Sequence, residues 1–213
     1  VLLAQGAAET LGNEVVVLPS GVVIDFFTRL DVAAGGALSA SLALIRSSDK
    51  GATWSPPVDV EPVVGGKKSA YALALLTPAG RLYAIYNYMG DEPTTLPDGK
   101  PFRNDIGGWL CFRFSDDSGK TWSGRGRIPV RITAVDRSND WQGKRLLFWA
   151  IGTPATFGGS AILGFSKLGK YTQLNGDGWY VRSDNILSER DPEKLDWQVL
   201  PDGDHGLRKD VFG

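Results

Sequence analysis

The sequence predicts an all-β protein, a β-propeller of four-stranded antiparallel blades with about three blades in this chain. Three observations predict it. The string Ser-x-Asp-x-Gly-x-Thr-Trp occurs twice, as SSDKGATW at 47–54 and SDDSGKTW at 115–122, 68 residues apart. A degenerate third copy starts at Ser183, another 68 residues on, and reaches its Trp at 197 after a short insertion. Around each copy lie runs rich in Val, Ile, Leu, Phe, Tyr and Trp, the residues that favour strands. A supersecondary unit recurring at a fixed period marks radially repeated sheets. A β-sandwich would not generate that recurrence.

The first unit, about 14–60, reads NEVVVLPSGVVIDFFTRL, then SASLALIRSS, then TWSPPVDV. The second, about 70–128, reads AYALALLTPAGRLYAIYNYM, GWLCFRFS and TWSGRGRIPV. The third, about 146–202, reads LLFWAIGTPATFGGSAILGFSK, GWYVRSDN and DWQVLPD. Each supplies four strand-like runs. In the first two units the opening pair of runs joins through LPSG or TPAG, where Pro and Gly suit a tight turn. Runs such as VVIDFF and LYAIY are apolar on both faces, as strands covered on both sides require. A helical i, i+3, i+4, i+7 stripe is not evident in the sequence.

The repeated string falls between the third and fourth runs of its unit, where a hairpin turn is needed. Gly51 and Gly119 can take φ > 0 without steric cost. Asp49 and Asp117 can accept backbone N–H bonds inside the turn. Ser47, Thr53, Ser115 and Thr121 supply hydroxyls to the same turns, and Trp54 and Trp122 open the next strand with a ring to bury. A catalytic carboxylate has no reason to recur once per blade, whereas a fold element does. The string is therefore read as scaffolding.

The bulk numbers are those of a globular protein: 213 residues, 42% hydrophobic, 22% charged and a formal net charge of −1. That balance gives no electrostatic pull toward nucleic acid or an anionic membrane. No apolar run approaches the length of a membrane span. The single Cys111 excludes an intrachain disulfide. The opening VLLAQGAAET lacks an initiator Met and a basic leader, and reads as a strand of a preceding unit.

The strings SSDKGATW and SDDSGKTW resemble the Asp-box, the bacterial neuraminidase repeat (BNR) of six-bladed propellers in the sialidase (neuraminidase) superfamily. NEVVVLPSGVVIDFFTRL, RIPVRITAVDRSNDWQGKRLLFWAIG and GWYVRSDNILSERDPEKLDWQVLPDGDHGLR extend the resemblance over nearly the whole chain. It implies an exo-α-sialidase-type glycoside hydrolase, with a partial six-bladed propeller here. Such a chain would act on a sialoside-like glycan, need no cofactor or metal, and be secreted or periplasmic. The Asp-box also occurs in non-catalytic propellers that bind glycan or protein, so that reading stays open. Three blades do not close a ring, since propellers close with 4–8. The chain is thus expected to belong to a longer propeller, or to pair with a second copy through its open blade faces.

Strand alternation puts the repeated hairpins on one face of the disc and the longer loops on the other, where function is expected. A sialidase needs Arg to grip a carboxylate, an Asp as general acid, and a Tyr–Glu pair as nucleophile. By the resemblance, FFTRLD places Arg29 as a substrate-binding residue and Asp31 as the catalytic acid. Further substrate-binding candidates on the long-loop face are Arg103, Asp105, Asp136, Arg137 and Trp141. Arg131 and Tyr171 are weaker candidates. His205, the only His, has no partners for a metal or a Ser-His-Asp arrangement.

Overall fold

The computed structural model describes residues 9–32, 38–62, 69–90, 95–100, 106–150, 152–170 and 176–208. Three antiparallel sheets follow one another along the chain. The first is β1 (Glu9–Val17), β2 (Val23–Val32), β3 (Leu38–Ser47) and β4 (Val58–Glu61), paired in chain order. The second is β5 (Ser69–Leu76), β6 (Leu82–Tyr88), β7 (Trp109–Ser115) and β8 (Gly126–Arg127), again in order. A single-turn helix α1 (Ala134–Arg137) lies in the crossover to the third sheet. There β9 (Phe148–Trp149) and β10 (Ala155–Phe157) both pair with β11 (Ser160–Leu168), which continues to β12 (Gly176–Ser183) and β13 (Gln198–Leu200). Consecutive four-stranded meanders of this kind are propeller blades.

The innermost strand of the third sheet differs from the continuous run expected. Its chain leaves the ladder between Trp149 and Ala155. The intervening stretch contains Gly152 and Pro154; Pro cannot donate to a ladder, and Gly weakens a strand interior.

The repeated strings close the third and fourth strands of the first two sheets by one shared set of hydrogen bonds. Ser47 Oγ donates to Asp49 Oδ1 at 2.7 Å and accepts from Gly51 N–H at 2.8 Å. Asp49 then accepts from Thr53 N–H at 2.8 Å and from the Thr53 hydroxyl at 2.6 Å. Ser115, Asp117, Gly119 and Thr121 reproduce these contacts at 2.7, 2.8, 2.9 and 2.7 Å. Lys50 and Gly51 (φ 61° and 90°), like Ser118 and Gly119 (64° and 76°), are left-handed in succession, as tight hairpin turns require. In the third sheet the carboxylate arrives from the far side of the insertion. Asp196 Oδ1 accepts from Ser183 Oγ at 2.9 Å and from Asp184 N–H at 2.8 Å.

Each turn delivers a Trp. Trp122 meets Phe26 of the first sheet nearly edge-on at 5.8 Å, and Trp197 meets Phe112 of the second at 5.7 Å. Trp54 packs on Phe27, Ala43 and Ile45. One core lies between the first and second sheets, around Phe26, Leu42, Leu44, Ala84 and Tyr86. Another lies between the second and third, around Tyr83, Phe112, Phe148, Leu163 and Trp179. Val15 and Val17 on β1 and Phe157 and Tyr180 on the third sheet remain exposed.

The turn carboxylates should make the fold acid-sensitive. The Thr53 hydroxyl and N–H hold the Asp49 carboxyl down at about 2, against an ordinary 3.8. Partial burial pushes Asp117 upward, but the Thr121 N–H and hydroxyl outweigh it and hold it at about 2. Because both are depressed in the folded state, their contribution is complete above about pH 4 and is lost as pH falls toward 2. Asp117→Ala should lower unfolding free energy by about 1–2 kcal/mol in a denaturant titration. It should also flatten the acid limb of the stability curve.

Candidate functional site

The innermost strands share an irregularity. In β1 the register slips between Leu11 and Glu14, opposite Thr28 and Phe26 of β2. In β5 it slips between Ala70 and Leu73, opposite Asn87 and Ile85 of β6. The Trp149–Ala155 break lies opposite Ser166 and Ile162 of β11. Counted from the Ser that opens each hairpin turn, these breaks occupy matching places in all three sheets. Bulges bend and twist a strand and cluster beside functional sites. At the bulge, Gly12 has φ 66° and Tyr71 has φ 57°. A bulky residue in the left-handed region is an outlier that the surroundings must impose. Here Tyr71 N–H donates to Thr28 Oγ1 at 3.0 Å. The Tyr71 ring also lies where a Cβ on Gly12 would sit 3.1 Å from its Cδ1.

Just past the first bulge, Glu14 reaches across the innermost strands. Burial raises the proton affinity of its carboxyl above the ordinary range, outweighing the opposing pull of the Thr153 side chain and the Ala74 backbone. A carboxyl so placed, with three sheets meeting around it, is suited to proton transfer. Sequence reading missed it, because Glu14 stands in an ordinary alternating run.

Arg29 and Asp31 lie two apart near the loop end of β2 and so point to one side. Arg29 Nε is 3.2 Å from Asp31 Oδ2, and Arg29 Nη2 is 3.2 Å from Asp59 Oδ1 on β4. All three side chains are partly exposed, so the pairs add little stability and leave the guanidinium accessible. Asp59 joins them because of a bulge. Asp59 is opposite Ala43 and Glu61 is opposite Leu42, with Val60 as the extra residue. That residue turns Glu61 to the other side of the sheet, into the core facing β6.

The candidates in the crossover form a separate group. Asp136 is fully buried: its Oδ2 accepts from Thr133 N–H and Oγ1, both at 2.8 Å, and from Lys167 Nζ at 2.6 Å. Lys167 is equally buried, also donates to Arg131 O, and lies 5.0 Å from the Trp179 ring centre. Desolvation lowers its proton affinity against the pull of Asp136. Arg137, on the same helical turn, pairs with Asp204 at the surface. Trp141 packs on the small cluster of Met89, Ile106, Leu147 and Leu168 and stacks 5.0 Å from the Arg145 guanidinium. Arg131 donates to the carbonyls of Val199, Pro201 and Gly203, and stacks on Trp179. His205 is exposed in the loop after β13. Arg103, Asp105 and Tyr171 lie outside the described residues.

Asp49 and Asp117 stay in separate hairpins, each bonded to its own turn. Tyr86 donates to Glu61 at 2.5 Å, but both are buried between sheets; the pair is a clamp, not an exposed nucleophile. A cavity of about 680 Å³ between the second and third sheets is lined by Phe112, Phe114, Pro192, Leu195 and Trp197 among others. None of the described candidate substrate-binding residues lines it. Among the described residues no group of three His, Cys, Asp or Glu is arranged to hold a metal.

No protein-family model matches the chain, and no curated protein does. Solved structures do match. A sialidase from Streptococcus pneumoniae, NanB, is 10% identical over 96% of this chain and 46% of its own, with a TM-score of 0.61. A Penicillium chrysogenum α-L-arabinanase complexed with arabinobiose is 16% identical over 94% and 51%, with a TM-score of 0.59. The Hadza microbial sialidase Hz136 is 16% identical over 91% and 37%, with a TM-score of 0.56. The fold is therefore that of propeller glycoside hydrolases. More narrowly it is sialidase-like, and the chain spans about half or less of these relatives' lengths.

Two substitutions probe this region. Gly12→Ala combines a left-handed backbone with a close approach to Tyr71, and should cost about 1–2 kcal/mol in chemical denaturation. Lys167→Met strands the buried Asp136 carboxylate and should cost about 3–5 kcal/mol. Pairing it with Asp136→Leu should restore most of that loss in the same titration.

Proposed function

We propose that the chain carries part of the propeller of an exo-α-sialidase-type glycoside hydrolase. The observation that supports it most is an accessible Arg–Asp pair at the loop end of β2 in a sialidase-like propeller. In this reading Arg29 exchanges its contacts with Asp31 and Asp59 for the carboxylate of the sugar, which it grips through two N–H groups. Asp31, released beside the scissile bond, donates a proton to the leaving glycosidic oxygen. Arg137 and Trp141 contact the glycan from the crossover, and Asp136 positions them by fixing the α1 turn. The exposed Val15, Val17, Phe157 and Tyr180 are where further blades, or a second copy, pack.

The likeness to an arabinanase supports a second reading, a propeller hydrolase of neutral sugars. The two separate on one measurement. The full-length polypeptide should hydrolyse a fluorogenic sialoside, and Asp31→Asn should lower kcat on the order of 10²–10⁴-fold. Arg29→Ala should act mainly on KM. Turnover of arabino-oligosaccharides alone would select the second reading. No turnover of either by folded protein would leave glycan or protein binding as the function.

A further inference from the structure

Arginines among the described residues mostly face acids. Arg29, Arg81, Arg137, Arg182 and Arg208 each pair with an Asp. The outer strands of the second sheet break this pattern on the side that faces the first sheet.

Cys111 and Arg113 of β7 point that way, and Arg127 stands opposite Cys111 in the ladder. Arg125, two residues before Arg127, shares its side. Three arginines therefore share this side of the sheet with one carboxylate, Glu61, which two of them bond. Arg125 donates to it through Nη2 at 2.8 Å and Nε at 3.1 Å, and Arg113 through Nε at 2.8 Å. Tyr86 adds its hydroxyl. Burial would raise the Glu61 carboxyl, but Arg125, Tyr86 and Arg113 outweigh that and hold it low. Glu61 is thus a charged anion with both oxygens engaged, and its single negative charge faces three cations, two of which bond it.

Arg127 is the one of the three that does not bond Glu61. It is exposed, and among the described residues it has no carboxylate partner. Its guanidinium lies 4.4 Å from the Trp109 ring centre, beside Arg125 at 3.5 Å over Tyr88. The two rings are 6.2 Å apart. Two stacked cations lie side by side on an aromatic shelf, Arg125 held to Glu61 through Nε and Nη2 and Arg127 exposed beside it. Stacking fixes their planes, and adjacency makes an excess of positive potential that only an anion relieves.

We propose that Arg125 and Arg127, on the shelf of Tyr88 and Trp109, form a binding site for an oxyanion, the sulfate or carboxylate group of a small ligand. Arg113 and Glu61 hold Arg125 in place for it. The site lies on the second sheet, with Tyr88 on β6 and Trp109 on β7, whereas Arg29 and Asp31 belong to the first, and it stands whether or not the chain is a sialidase.

The test is a titration of the full chain, followed by arginine Nε–H cross-peaks at ionic strength held constant with chloride. Sodium sulfate should shift the Arg125 and Arg127 peaks saturably, and Arg127→Gln should weaken the apparent affinity about tenfold or more. Glucuronate and a sulfated hexose, run against glucose, identify the source. Tighter binding of either than of inorganic sulfate assigns the site to an acidic saccharide. Equal or weaker binding assigns it to the free oxyanion. Shifts that never saturate, or that Arg127→Gln leaves unchanged, would overturn the proposal. The exposed position of Arg127 keeps the variant folded, and unchanged peaks from the two buried cores would confirm that.

Discussion

A tryptophan laid against the sheet before it is the contact on which the other features depend. Trp122 reaches Phe26 and Trp197 reaches Phe112, so the second and third hairpin turns each fix the spacing between their own sheet and the one before it. Large rings dominate the energetics of such interfaces. The Ser–Asp–Thr hydrogen bonds matter because they set the angle at which that ring leaves the turn. A sheet apolar on both faces cannot stand alone in water, and the next sheet covers it only if the spacing holds. The loops on the opposite face inherit their positions from this packing.

The repeat was legible because its physics is local. Eight residues contain the hydroxyls, the carboxylate, the glycine and the ring that the turn requires, so the string predicts its own geometry. The third turn shows where that logic ends. Asp196 does the work of Asp49 and Asp117 from beside Trp197, after an insertion that carries it far from Ser183 in the chain. No spacing rule marks it. What counts is where the carboxylate lands, and that depends on how the residues between Ser183 and Asp196 fold back.

Most of the candidate site depended on register, which the sequence does not display. The side to which Asp59 and Glu61 point is decided by one extra residue, Val60. Without that bulge both would face the same way, and Arg29 and Arg125 would compete for them. Asp136 is polar and sits in a charged crossover, so it reads as a surface residue. Its burial follows from Lys167, a β11 residue that enters from the third sheet with a matching charge. Glu14 gave no signal because its surroundings come from β5 and from the break between β9 and β10, which approach it only in the fold. Arg29 and Asp31 were singled out by the family resemblance of FFTRLD, and that stretch ends at the loop end of β2, where the two side chains pair.

Near-identical units arranged around an axis have a drawback for recognition: a ligand sees the same wall from every side. The bulges offer a way out. They recur at matching places on the inner strands, yet one carries Gly12, the next Tyr71, and the third a glycine–threonine–proline step. The backbone detour repeats while its occupant changes. Duplicated architecture thereby acquires a distinct front and back at its centre, and an asymmetric molecule entering there can be held in one orientation.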